Sequence, residues 1–285
     1  MASHFLEGEI QNEKPDKAAV HIIPVPLESS TSYGTGTAAG PDAIIEASTQ
    51  LELWDGTGTP GTCGIHTATP VDCSKEIAKT LDRIEDAVSY ALECEALPLV
   101  LGGEHTVTLG ALRAMKQKYG RFGVVQFDAH ADLRNTYQGS PFSHACVMRR
   151  AMDDLRVPVF QIGVRALCAE EAEYRKAQEV PCLDARKLHI KGIPTQVLPA
   201  NFPERIYITF DVDGLDPAVI RATGTPVPGG LGWHDALTLL ERIVAGRRVI
   251  GADVVELAPA QGDHASDFAA AQLAYHLIGH GLPRD

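Results

Sequence analysis

Six short apolar runs are spaced along this chain, and segments of helix length separate them. AVHIIPVP (19–26), LPLVLGG (97–103), FGVVQFD (122–128), VPVFQIG (157–163), ERIYITFD (204–211) and RRVIGADVVEL (247–257) each have the length of a strand. They lack the strict polar alternation of a strand with one wet face. Strands buried on both faces belong to mostly parallel sheets whose crossover helices cover them. The intervening segments supply such helices. Ser74–Glu95 is the clearest, with Ser74 as cap, Glu76 complementing the dipole, and Ile77, Leu81, Ile84, Val88 and Ala91 at helical spacing. A Gly-rich turn feeds a helix from Pro41, a position where proline is tolerated. Further helices are expected at 106–120, closed by Gly120, and at 143–153, Leu167–Glu179, His234–Ala245 and His264–Ile278. Residues 1–18 read as a polar lead-in and 55–73 as loop. No repeat or composition shift marks a boundary, so the 285 residues are expected to form one α/β domain.

Composition narrows the partners. The formal net charge is −12, which argues against nucleic acid or an anionic membrane and suits a cationic small molecule. By itself the charge need do no more than keep the chain soluble. The six cysteines form no CxxC pair and are expected as free thiols in a reducing compartment. The N-terminal residues carry no apolar h-region, and no run reaches the roughly 18 apolar residues of a membrane span. The cytoplasm is the default expectation.

Three of the runs end in chemistry-bearing residues. LPLVL is followed by GGEH, FGVVQF by DAHAD and IYITF by DVDGLD. Ligands of open α/β sheets bind outside the carboxyl ends of the strands. Glu104 and His105, Asp128, His130 and Asp132, and Asp211 and Asp213 are therefore expected on one edge. If the chain stays extended past Phe127, the two-residue spacing turns Asp128, His130 and Asp132 to one side. Such a set repels itself unless a counterion is present. The oxygen-rich mixture with two imidazoles favours Mn²⁺ or a similar ion over a structural zinc site. Six ligands suit a pair of ions sharing carboxylates better than one. Taken singly, each motif has a plainer reading, as a turn or a core histidine. Cys146 reads as a packed or surface thiol.

These residues carry a resemblance. LGGEHT (101–106), FDAHAD (127–132), ITFDVDGLDPA (208–218) and GADVVELAP (251–259) resemble the ureohydrolases (arginase, agmatinase and their relatives) in type and order, and SYGTGTAAGPDAI (32–44) is similar to that family's N-terminal pattern. The resemblance implies a three-layer α/β/α fold around a central, mostly parallel sheet of about eight strands, two of them hidden in the segments 55–73 and 180–200. It implies one Mn²⁺ on His105, Asp128, Asp132 and Asp211 and a second on His130, Asp128, Asp211 and Asp213, with Ni²⁺ as an alternative metal. A water shared by the ions becomes a hydroxide near neutral pH and attacks the guanidinium carbon. Asp132 orients it as well as binding metal. Glu256 pairs with the substrate guanidinium, and His144 moves a proton or contacts substrate, although Ala145 follows it where the family often has glycine. A homotrimer or homohexamer is also implied.

The tail of the substrate is less constrained. Leu133 and Arg134 stand where arginases carry Ile and Asn, and DLR (132–134), YQG (137–139) and SHACVMRR (143–150) look more like agmatinase. Agmatine is the expected substrate, giving putrescine and urea. Guanidinobutyrate, guanidinopropionate, guanidine and arginine are alternatives. A substrate carboxylate could pair with Arg134, which can equally be structural. The loop 224–231, Trp233 and His234 are expected to line the entrance. A metal-dependent deacetylase or a non-catalytic member of the family would be the readings from other classes.

Overall fold

The computed structural model describes residues 2–74 and 76–282. Eight strands form a single sheet: β1 Val20–Val25, β2 Ile65–Thr67, β3 Leu97–Gly102, β4 Gly123–Phe127, β5 Val159–Ile162, β6 Cys182–Leu183, β7 Arg205–Asp211 and β8 Arg248–Val255. Every pairing is parallel, and the order is β2-β1-β3-β8-β7-β4-β5-β6. The eight α-helices among the described residues are α1 Gly40–Ser48, α2 Ile77–Glu93, α3 Val107–Tyr119, α4 Val147–Asp153, α5 Ala169–Ala177, α6 Ala185–Lys191, α7 Trp233–Val244 and α8 His264–Gly281. Buried side chains fall into two clusters. One sets α1, α7 and α8 against the sheet, and the other sets α2, α3 and α4 against it. This is the expected α/β/α sandwich.

The six expected strands and the main helices are present, with small shifts at their ends. The two further strands lie in the expected segments. Neither could be read locally, since β2 has three residues and β6 two, too few for a periodic signal. Helix α2 begins at Ile77, with Glu76 at its N-cap position and no side-chain cap. Ser74 is not the cap. Its backbone N–H is taken by the Asp72 carboxylate at 2.9 Å, which holds it in a turn ahead of the helix. The polar lead-in is docked to the body. Phe5 and Leu6 are fully buried, and their N–H groups bond to Thr67 Oγ1 and Ser48 Oγ. Two hydroxyls thereby satisfy the backbone that is buried with these apolar side chains.

No helix among the described residues is long and apolar enough to cross a membrane. All six cysteines are free, and Cys146 is buried.

Candidate active site

Four adjacent strands, β3, β8, β7 and β4, carry the predicted residues at their carboxyl ends. The sheet order makes the convergence. β8 and β7 come last in the chain but lie between β3 and β4, so Glu256, Asp211 and Asp213 enter the gap between His105 and Asp128. Close backbone approach completes it. A Cβ on Gly214 would sit 2.8 Å from Asp128 N, so only glycine lets the ends of β7 and β4 meet.

The six proposed ligands form one cluster with two overlapping parts. His105 Nδ1 lies 2.9 Å from Asp132, 3.2 Å from Asp128 and 3.6 Å from Asp211 carboxylate oxygens. His130 Nδ1 lies 3.0 Å from Asp213 and 3.5 Å from Asp128. His105, Asp128 and Asp132 are placed to hold one metal ion, and Asp128, His130 and Asp213 another, with Asp128 common to both. The extended-chain expectation is corrected in detail. Asp132 adopts a left-handed backbone with φ 52°, and Asp213 lies in a 3-10 turn whose N–H bonds to Asp211 Oδ1. Turns, rather than strict alternation, aim these side chains.

The chemistry of the set fits divalent cations. His105 Nε2 is 2.8 Å from Thr209 Oγ1, whose own proton goes to Asp253 Oδ1 at 2.6 Å. Nε2 is therefore the donor, and the neutral ring keeps its lone pair on Nδ1. That buried Nδ1 makes no aligned hydrogen bond, yet three carboxylates surround it. A lone pair facing carboxylate oxygens is repulsive unless a cation stands between them. Without a metal, protons have to do this work. Burial disfavours a charged His130, but Asp128 and Asp213 override it and hold its pKa at about 11. In the same way Asp128 and Asp132 raise His105 well above the usual imidazole value against the effect of burial. Burial and then Asp128 lift Asp132 to about 7. Burial, Asp213 and Asp128 lift Asp211 well above the carboxylate range.

Glu256 stands next to the cluster. Its Oε1 accepts the His105 N–H at 2.7 Å, and its backbone is left-handed with φ 67°. Burial raises its pKa to about 8. His144, Glu256, His130, Asp132, Asp211 and Asp213 line one narrow cleft, together with residues 31–34, Gly224 and Thr225. A second cavity of about 290 Å³ adjoins it through His130, Asp132 and His144 and extends to Arg134, Tyr137, Leu167, Cys168 and Glu171. Arg134 lies over the Tyr137 ring, 3.9 Å from the Glu171 carboxylate. Trp233 and His234 are absent from both linings. Trp233 begins α7 and packs edge-on against His276, so only the first residues of the 224–231 loop border the cleft.

Several supporting residues escape a motif search. Gln161, Gln126, Thr209 and Asp253 occupy matching register positions on β5, β4, β7 and β8, and all are fully buried. This polar row lies under the cluster. Gln161 donates to Gln126, and Gln126 donates to Asp128 Oδ2 at 2.7 Å. Thr108, Tyr207 and Thr209 all donate to Asp253. The available signal was a polar residue inside each otherwise apolar run. Arg165, just past β5, donates to the carbonyls of Gly163, Asp213, Gly214, Leu215 and Val227. It ties the loop after β7 to the 224–231 loop, and nothing local announces that.

Comparison with known proteins agrees with the fold and the motifs. The arginase family model matches residues 18–279. An N(1)-aminopropylagmatine ureohydrolase of Synechocystis sp. is 38% identical, over 97% of this chain and 93% of its own. An agmatinase of Pyrococcus horikoshii is 32% identical, over 90% of each. The crystal structure of an agmatine ureohydrolase of Thermoplasma volcanium superposes with a TM-score of 0.87 at 29% identity, covering 99% of this chain and 95% of that one. The chain belongs to the arginase family and is close to agmatinase. It is a hydrolase of guanidino compounds.

Proposed function

We propose that this enzyme hydrolyses agmatine to putrescine and urea, with two Mn²⁺ ions held by His105, Asp128, His130, Asp132, Asp211 and Asp213. Asp128 would serve both positions, and Asp211 would join it as the family resemblance implies. When bound, such a pair lowers the pKa of a water between them and supplies a nucleophile at neutral pH. The chain's own residues do the rest. Glu256 holds the guanidinium through parallel N–H bonds and fixes its plane. Asp132 orients the attacking water. His144 carries the proton that the leaving amine requires.

Glu256 is the observation that carries this reading. It is a buried carboxylate with one oxygen committed to the His105 N–H and, among the described residues, no ion-pair partner. Burial raises its pKa to about 8, so a cation beside it favours the ionised form, and a guanidinium is a planar cation whose paired donors match a carboxylate. Purified protein with Mn²⁺ is expected to release urea from agmatine, and a failure to do so would sink the substrate. A panel of guanidinobutyrate, guanidinopropionate, guanidine and arginine, run with Mn²⁺ and with Ni²⁺, tests the alternatives.

The cavity of about 290 Å³ favours a second reading. It offers room for a tail longer than that of agmatine, and the Synechocystis relative is named for N(1)-aminopropylagmatine. A kcat/KM more than about tenfold higher for that compound, a margin of about 1.4 kcal/mol, would move the assignment to it. The six free thiols support a reducing, cytoplasmic setting. A homotrimer or homohexamer is expected in light scattering.

A further inference from the structure

Ser30 stands between a buried carboxylate and His144. Glu104 is fully buried and takes four donors. Its Oε2 accepts the backbone N–H groups of Ser29 and Ser30, each at 2.6 Å, and its Oε1 accepts the hydroxyls of Ser29 at 3.1 Å and Ser30 at 2.9 Å. With all four donors in place the carboxylate has no vacant position for a proton of its own. The one hydroxyl proton of Ser30 is therefore committed to Glu104. Its oxygen keeps two lone pairs, and these face the His144 backbone N–H at 3.0 Å and His144 Nδ1 at 3.1 Å. An oxygen with only lone pairs left can bond Nδ1 only if Nδ1 carries hydrogen. Ser143 Oγ is a more distant neighbour of the same nitrogen at 3.4 Å, and the Tyr137 ring stands edge-on to the imidazole at 5.8 Å.

We propose that Glu104 and Ser30 are positioning residues that hold neutral His144 as its Nδ1–H tautomer, leaving Nε2 as the ring's only proton-accepting atom. Nε2 makes no hydrogen bond among the described residues, and His144 lines both the cleft and the adjoining cavity. Burial lowers the His144 pKa, so the neutral ring, whose tautomer matters, is the form present near pH 7. A carboxylate that fixes the tautomer of a histidine is a familiar device. Here a serine hydroxyl passes the instruction on. The inference rests on the proton-carrying role proposed above for His144.

Glu104→Gln tests the direction of the chain of bonds with almost no change of shape. The amide oxygen has to face the two backbone N–H groups, so the NH₂ faces the hydroxyls. Ser30 then receives a hydrogen bond from the amide and turns its own proton to Nδ1, which transfers the ring proton to Nε2. Protein with ¹⁵N-labelled histidine, loaded with diamagnetic Zn²⁺ and with His144 assigned from a His144→Gln variant, reads this in its ring ¹⁵N shifts. The parent is expected to show protonated Nδ1 and bare Nε2, and Glu104→Gln the reverse. Bare Nδ1 in the parent, or an unchanged pattern in the variant, overturns the proposal. In urea release Ser30→Ala is expected to lower kcat about hundredfold, the lower end of an acid–base contribution, with KM within about threefold. Ser30→Thr restores the rate. Ser30→Ala added to His144→Ala costs nothing further, whereas additive losses overturn the proposal. If no guanidino compound yields urea, the proposed activity fails, and the ¹⁵N shifts still decide the tautomer.

Discussion

The His105 half and the His130 half of the cluster are built differently. The His105 side chain is 1% exposed and the His130 side chain 29%. His105 rests on side chains, through Thr209 and Asp253 in the polar row across the sheet. His130 faces Asp213, whose segment is fixed at its backbone by Arg165, which reaches the carbonyls of Asp213, Gly214 and Leu215. The inner half is thus part of the sheet, while the outer half is tied to it through the Arg165 guanidinium and the Ala129 N–H, which bonds to Asp213 Oδ1 at 2.9 Å. A metal position supported by buried hydrogen bonds holds its ligand atoms in place before the ion arrives. The outer position is expected to be the one that exchanges.

Asp128 belongs to both halves, so its loss is expected to have the largest effect. Asp128→Asn should strip both ions, measured by atomic absorption after gel filtration, and lower urea release by more than about a hundredfold, the upper end for loss of an outer-shell partner. Retention of one full equivalent of metal would break the shared-ligand picture. Thr209→Val should weaken one metal step about 10–100-fold in a titration and leave the other unchanged. Equal weakening of both steps would show that the halves are not separable.

Arg165→Met tests the outer half. Five carbonyls lose a donor, although Gly214 O keeps the Leu231 N–H, and a loss of about 1–3 kcal/mol in urea denaturation is expected, with a selective rise in the weaker metal Kd. A variant with unchanged metal titration would deny the clamp any role at the site.

The smallest effect is on pH dependence. In the metal-free protein Asp132 is raised to about 7, Glu256 to about 8 and His130 to about 11. Raised values mean that the folded chain holds more protons than the unfolded one. Stability from these groups is therefore complete below their unfolded values and lost as pH rises through the folded ones. Over pH 6–9 the metal-free fold should weaken. Metal replaces those protons, so the rise in Tm on adding Mn²⁺ should grow with pH by several degrees, at roughly 2–4 °C per kcal/mol for a chain of this length. A constant or shrinking gain would contradict the proton-for-metal exchange.

Much of this was legible beforehand because it is written locally. Asp128, His130 and Asp132 follow one strand within five residues, and Asp211 ends another with Asp213 just past it. Buried parallel strands announce themselves as apolar runs. The supports were not legible. Thr209 and Asp253 become partners only because β7 and β8 are neighbours in register, and Ser30 meets His144 across 114 residues. The docking of Phe5 and Leu6 was hidden by the polar average of the segment around them.

The chain itself places metal-capable residue types just past its apolar runs, since residue type and short-range spacing are local. Tertiary structure alone decides that β8 and β7 lie between β3 and β4, which half of the cluster is buried, and which nitrogen of His105 and His144 carries the proton. The physical reason is that tautomer and burial depend on hydrogen-bond partners and packing supplied by distant segments, and no local pattern encodes those.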